Sequence, residues 1–375
     1  PRMSFRPRRR SRERRNGHRR PLSVPVSFDL MESAAFEYDL PAAAIAQEPA
    51  QPRDSSRLLV DGEPVRHLLT ADVATLLRPG DVVVLNDTKV LPARLHLHKA
   101  TGGAVEVLAL EPNTVEPLDG DAAAEGAWGE ALVRPSRRVP EGSQLFDDDG
   151  VAVVEVGPAT EAGTRFVRAI ASPMTGLLDR LGAVPLPPYI TAPLGDPGRY
   201  QTVYARHATS VAAPTAGLHL TDSALERCRA AGAEIHSVDL SVGLGTFRPL
   251  ETAALADHVM HTERYRVPEH TWAACAAAER VVAVGTTVVR TLESVAATGR
   301  LEGRTDLFIA PGFSFQVVDA LLTNFHLPRS TLLVMLEAFM GPRWRSLYEI
   351  ALAEGYRVLS FGDAMFVERC EDERR

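Results

Sequence analysis

Val281-Val-Ala-Val-Gly-Thr-Thr-Val-Val-Arg-Thr-Leu-Glu-Ser-Val-Ala-Ala297 decides the fold class. Its first four residues are a compact apolar run of strand type. Gly285-Thr-Thr287 is a turn, and Val288–Ala297 is helical in composition, stopped by Gly299. Working outward, Ser223–Ala231 predicts a helix closed by Gly232, followed at once by a strand at Ile235–Leu240. Ser330 is placed to N-cap a helix running through Phe339, and Val358–Phe361 predicts a last strand. Upstream, Leu58–Val60 and Asp81–Leu85 read as strands, the second broken by Asn86-Asp87. Helices alternating with apolar strands predict an α/β domain: a mostly parallel sheet flanked by helices.

Residues 90 to 172 have a different texture. Short alternating or β-branched runs recur at Val105–Leu110, Ala131–Val133, Val151–Val156 and Phe166–Ile170. Turn-rich spacers separate them, including the acidic stretch 116–126 and Asp147-Asp-Asp-Gly150. This pattern predicts a small antiparallel β-barrel over residues 89–172, inserted into an α/β domain made of residues 31–88 and 173–375.

With 375 residues, 45% of them hydrophobic, the chain can bury a two-domain core. No apolar run is long enough to cross a bilayer. Cys228, Cys275 and Cys370 are far apart and fit neither a metal nor a disulfide pattern, so a reduced, cytoplasmic setting is expected. The charge divides unevenly. Residues 1–20 hold ten arginines and one acid, Glu13, whereas the chain beyond residue 30 has 31 basic against 46 acidic residues, a net of −15. The basic tail 1–30 reads as a nucleic-acid arm, as a targeting signal, or, the reading preferred here, as a disordered segment foreign to the protein proper, since Met31 reads as a natural start.

Four loops carry polar groups where a parallel sheet would present its strand ends, the place where ligands gather in open α/β folds. They are Ala213–His219, with Thr215, Gly217 and His219; Val242–Phe247, with Gly243, Gly245 and Thr246; Gly285-Thr286-Thr287; and Leu322–Pro328, with Asn324 and His326. Arg290 and Glu293 follow the third loop at a spacing that lets them pair on one helix face. His258, His261 and Glu263 form H-x-x-H-x-E, open to an acid/base, substrate-contact or structural role. The zincin spacing is absent and no cysteine is near, so no metal is expected. From spacing alone, His219 and His326 are as readily structural as catalytic.

At these loops the chain resembles the S-adenosylmethionine:tRNA ribosyltransferase-isomerase family of queuosine biosynthesis. The resemblance rests on Tyr38-Asp-Leu-Pro41, Asp54-Ser-Ser-Arg-Leu58, Asn86-Asp-Thr88, Pro92-Ala-Arg94, Pro185–Ile190, Tyr200–Ala205 and Ser210–His219. Val242–Phe247, Asp257–His261, Val284–Thr287, Val318–Pro328 and Gly362–Phe366 extend it. It implies an α/β domain carrying a β-barrel, and S-adenosylmethionine as a co-substrate that gives up its ribosyl part. The acceptor would be the aminomethyl-deazaguanine base of a tRNA anticodon. Epoxyqueuosine-tRNA, adenine and methionine would be the products, from a cytoplasmic, monomeric enzyme.

That chemistry needs a base for the hydrogens beside the sulfonium, an acid for departing adenine and a base for the incoming amine. The resemblance implies His219, His258, His261, Glu263 and His326 as the acid/base pool. Asp87 and Asp363 would orient hydroxyls or the amine. Arg290 or the amides of 285–287 would take the methionine carboxylate, with Thr215, Gly217, Gly243, Gly245, Thr246 and Asn324 lining the donor. For tRNA phosphates the candidates are Arg53, Arg57, Arg94, Arg134, Arg137, Arg138 and Arg199. The chain departs from the family pattern at Ala192, Leu220, Ser241, Val288, Ala310, Phe313, Glu337 and Met340. These departures keep two rivals open: a relative acting on another acceptor, and a non-catalytic RNA- or nucleotide-binding protein.

Overall fold

The computed structural model describes residues 31–110, 126–160, 163–243 and 249–370. They divide into two compact units. The larger takes the described residues of Pro1–Asn86, Thr215–Leu240 and Thr246–Arg375; the smaller takes those of Asp87–Pro214 and Ser241–Gly245. The smaller unit is thus longer than the stretch 89–172. The basic tail, and almost all of the acidic spacer 116–126, lie outside the described residues.

The larger unit opens with β1 (Arg57–Val60), β2 (Arg66–Leu69) and β3 (Asp81–Asn86). Every residue of β3 is buried, which is why Val82-Val-Val-Leu85 is a continuous apolar run and not an alternating one.

The smaller unit follows with β4 (Thr88–Val90), β5 (Arg94–Lys99), β6 (Ala104–Ala109), β7 (Gly129–Arg134), β8 (Gln144–Phe146), β9 (Ala152–Ala159) and β10 (Arg165–Ala169), then α1 (Met174–Leu181) and β11 (His207–Ser210). Six of its strands close into a barrel in the order β10-β7-β6-β5-β8-β9, all pairings antiparallel. Leu95, Leu97, Val107, Val133, Leu145, Val154 and Val167 fill it. Alternate residues such as His96 stay outside, as a closed barrel of period two requires. Arg165 is buried as well, its guanidinium bonded to the carbonyls of Gly157 and Val139.

Back in the larger unit come α2 (Asp222–Ala230), β12 (Glu234–Leu240), β13 (Glu263–Arg266), α3 (Glu269–Ala277), β14 (Arg280–Val284), α4 (Thr286–Thr298), β15 (Glu302–Thr305), β16 (Ala320–Asn324), α5 (Thr331–Met340), α6 (Trp344–Ala353) and β17 (Ala364–Glu368). The nine-stranded sheet runs β15-β13-β12-β3-β14-β16-β17-β1-β2. Its centre, β12-β3-β14-β16, is parallel throughout. The flanks are mostly antiparallel, so four of the eight pairings are parallel and the sheet is mixed. Ser330 does cap α5, its Oγ accepting from the Leu333 amide.

One expected strand is corrected. Val358–Phe361 is a tight turn, with only Val358 in a bridge to Ile45. Leu359 has φ 69°, and a Cβ on Gly362 would lie 2.5 Å from the Arg357 carbonyl oxygen. The last strand is β17.

Candidate active site

Because β3, β12, β14 and β16 are parallel and adjacent, their carboxyl ends share one edge of the sheet. Asn86 sits at the end of β3. Its amide nitrogen donates to the Leu240 carbonyl and its amide oxygen accepts from the Leu240 N–H, both at 3.1 Å, which pins the end of β12. Gly285 follows β14 with φ 93°, a backbone state that L side chains rarely adopt, and starts α4. Among the described residues no side chain caps that helix; the Gly285 amide donates to the Leu322 carbonyl and the Val288 amide to the Gly285 carbonyl, which leaves the amides of Thr286 and Thr287 at the sheet edge. The turn Thr215–His219 lies beside it: Ala216 Cβ is 3.5 Å from where a Gly285 Cβ would stand. Three of the four loops singled out by sequence, 215–219, 285–287 and 322–328, are therefore brought together in the larger unit.

His219 is the centre of this arrangement. It is buried, 4% exposed. Its Nε2 lies 2.8 Å from Asn324 Nδ2 and its Nδ1 lies 2.9 Å from Ser56 Oγ, which is in turn 2.8 Å from Thr70 Oγ1. Asn324 Nδ2 also donates to the Leu359 carbonyl at 3.1 Å. Burial, aided by the positive charges of Arg357 and Arg53, pushes the His219 pKa down to about 4. His326 is buried too, with Nε2 3.1 Å from Thr323 Oγ1, and burial pushes it down to about 3. Its backbone is clamped by two tyrosines: Tyr38 donates to its carbonyl and its N–H donates to Tyr348 Oη.

Other residues on the sequence list are engaged in the fold. Arg290 is buried on α4 and pairs with buried Glu263, while also donating to the carbonyls of His261 and Thr305. Arg290 and Glu293 do not pair with each other. Glu293 is fully buried and accepts the amides of Gln316, Val317 and Val318. Asp363 accepts the amides of Arg57 and Arg357, both at 2.8 Å, and so ties β1 to the turn before β17. His261 is exposed; His258 is half-buried against Phe308, its pKa lowered by burial and by His261.

In the smaller unit, Asp87 is buried and its carbonyl accepts from the amides of Arg206 and His207. Burial and the nearby Asp87 charge push the Tyr204 hydroxyl well above its usual range. Ser210 Oγ bonds both the N–H and the carbonyl of Val242, holding the start of the loop that bears Gly243. Gly245 and Thr246 lie outside the described residues. Among the described residues no three His, Cys, Asp or Glu side chains are grouped as a metal site.

Sequence reasoning missed Ser56 and Thr70. Ser56 stands inside the quoted stretch Asp54–Leu58, but nothing linked it to His219, 163 residues away; Thr70 carried no signal.

A family model described as queuosine biosynthesis protein matches residues 33–367. The chain belongs to that family. An S-adenosylmethionine:tRNA ribosyltransferase-isomerase from Rubrobacter xylanophilus is 50% identical over 90% of this chain and 98% of its own. Another, from Moorella thermoacetica, is 48% identical over 90% of this chain and all of its own. A crystal structure of S-adenosylmethionine tRNA ribosyltransferase from Thermotoga maritima matches with 33% identity and a TM-score of 0.49, covering 88% of this chain and 99% of that one. Several departures from the family pattern are apolar and packed in the larger unit. Leu220, Val288, Ala310 and Met340 are buried. Phe313 meets Phe315 edge to face, and Glu337 accepts the Trp344 indole N–H.

Proposed function

We infer that this chain is an S-adenosylmethionine:tRNA ribosyltransferase-isomerase. It transfers and isomerises the ribosyl part of S-adenosylmethionine onto the aminomethyl-deazaguanine base of a tRNA anticodon, giving epoxyqueuosine-tRNA, adenine and methionine. The observation that carries this reading is 48% identity to a relative so named, over 90% of this chain and the whole of that relative. Work on tRNA would place the activity in the cytoplasm. Among the described residues no helix is long and apolar enough to cross a membrane.

The donor is assigned to the carboxyl edge of β14 and β16 in the larger unit. Since the Arg290 guanidinium is committed to Glu263, the free amides at the start of α4, with Thr286 and Thr287, are the better seat for the methionine carboxylate. Asn324 and the turn 215–219 form the adjoining wall.

Proton work falls to His258 and His261. His219 and His326 are neutral at pH 7, carry no imidazolium proton to donate, and are weak bases with pKa values near 4 and 3. His261 is exposed, as an acid/base group that must exchange protons requires. Arg134, Arg137 and Arg138, exposed at the end of β7 and on the turn that follows, are the phosphate contacts we assign to tRNA.

Incubation with S-adenosylmethionine labelled in the ribose and precursor-containing tRNA tests the reading. Labelled tRNA with stoichiometric adenine and methionine is expected. Adenine release without label in tRNA would point to another acceptor, binding without turnover to a non-catalytic protein, and S-adenosylhomocysteine would replace the scheme with methyl transfer.

A further inference from the structure

The carboxamide of Asn324 is 3% exposed, and its Oδ1 has no hydrogen-bond partner among the described residues. A buried carbonyl oxygen left bare has lost its water without gaining a partner, so the atom is suited to receive a donor from a ligand. Its orientation is not arbitrary. The Leu359 carbonyl, 3.1 Å from one end of the amide, demands a nitrogen there. That nitrogen's second hydrogen points at His219 Nε2, which must therefore be an acceptor. The neutral imidazole then carries its proton on Nδ1 and donates it to Ser56 Oγ. Ser56, having accepted, spends its own hydrogen on Thr70 Oγ1. The polarity of the whole row is fixed from Leu359 to Thr70, and it ends in one unfilled acceptor.

We propose that Asn324 Oδ1 receives an N–H donor of S-adenosylmethionine, and that Ser56 and Thr70 are positioning residues that hold it so by fixing the His219 tautomer. The ligand contact rests on the donor site assigned above; the tautomer does not. Two groups of the donor carry this chemistry, the adenine amine and the methionine ammonium. Removing the Ser56 hydroxyl leaves Nδ1–H buried with no acceptor, which favours the other tautomer. Nε2–H would then oppose Asn324 Nδ2. Turning the amide to relieve that clash brings Oδ1 against the Leu359 carbonyl and presents an N–H where the acceptor stood. Removing the Thr70 hydroxyl frees Ser56 to donate to Nδ1 and pushes in the same direction.

The test uses the full chain with ¹⁵N-labelled histidine, the His219 ring being assigned by its loss in His219→Gln. Two-bond proton–nitrogen correlations are expected to show Nδ1–H and a bare Nε2 in the unmodified protein. In Ser56→Ala and Thr70→Val the Nε2–H form is expected to appear. Equilibrium binding of S-adenosylmethionine should weaken about tenfold in Ser56→Ala, and Ser56→Thr, which keeps a hydroxyl, should restore both readouts. Repeating the titration with 5′-methylthioadenosine separates the two sources: the same loss assigns the adenine amine, and no loss assigns the ammonium. An Nε2–H tautomer in the unmodified protein overturns the proposal. So does a tautomer change that leaves S-adenosylmethionine binding untouched, or a binding loss that Ser56→Thr does not repair. Failure of the underlying site assignment looks different: a Ser56→Ala protein with the altered tautomer, and an Asn324→Ala protein that still binds S-adenosylmethionine as tightly as the unmodified chain.

Discussion

His219 and His326 show how burial decides what a histidine does. Their folded pKa values, about 4 and about 3, lie below the usual 6.5 because desolvation penalises the charged ring. The unfolded chain therefore binds protons that the folded chain refuses. Their contribution to stability is full above pH 6.5 and is lost as pH falls toward the folded values. Each histidine tilts the unfolding free energy by about 1.4 kcal/mol per pH unit within that window. Chemical denaturation between pH 7 and 4.5 is expected to show this slope. His326→Asn should flatten it by roughly one histidine's worth, whatever the variant's absolute stability; an unchanged slope would contradict the assignment. Arg290 teaches the complementary point. On a helical sequence it looked available for an anion, but a buried guanidinium must be paired, and Glu263 already pairs it.

Among the elements, those with a continuous apolar run or a full set of helix signals were legible from sequence. β3, β14, α4 and the Ser330-capped α5 appear where their residues place them, because burial on both faces and capping are written locally. Val358–Phe361 was misread because its apolar side chains are buried by a turn and not by a ladder. The deciding facts, the positive φ of Leu359 and the close approach at Gly362, depend on contacts across the fold. The site divides in the same way. Loop positions were readable, since glycines and polar residues interrupt apolar runs. Partnerships such as Ser56 with His219 were not, since 163 residues of sequence separate them. Gly285 allows a test at this scale. A Cβ there would find ordinary contacts at 3.5 Å and beyond, so Gly285→Ala should cost mainly the backbone strain of a side chain at φ 93° and ψ 151°, about 1–3 kcal/mol, while tilting the start of α4. Calorimetric unfolding is expected to show that modest loss alongside a larger drop in S-adenosylmethionine affinity; equal affinity would detach the helix start from the donor site.

For the whole molecule, charge is the quantity to follow. A chain whose residues beyond 30 sum to −15 must gather its cations locally to hold a polyanion. Of the arginines considered, Arg57 stacks on Tyr356 and bonds the Glu354 carbonyl, and Arg94 bonds the Leu186 carbonyl, whereas Arg134, Arg137 and Arg138 stand exposed together on the smaller unit. Replacing those three by Gln is expected to weaken tRNA binding at every salt concentration. The slope of log affinity against log salt should flatten by up to about 3. Turnover of bound tRNA should change little, and an unaltered slope would move the interface elsewhere.

The two ends of the large sheet have a consequence of another kind. Among the described residues, β2 and β15 leave one backbone edge each without a neighbouring strand. Both are four residues long, and Arg66, Glu302 and Arg304 stand exposed along them. A bare edge invites a strand from another molecule, and repeated many times that invitation is how fibrils grow. Short edges studded with charge make any such guest bury an ion, so the nine-stranded sheet stops growing at its own borders while the barrel, closed on itself, offers no border at all.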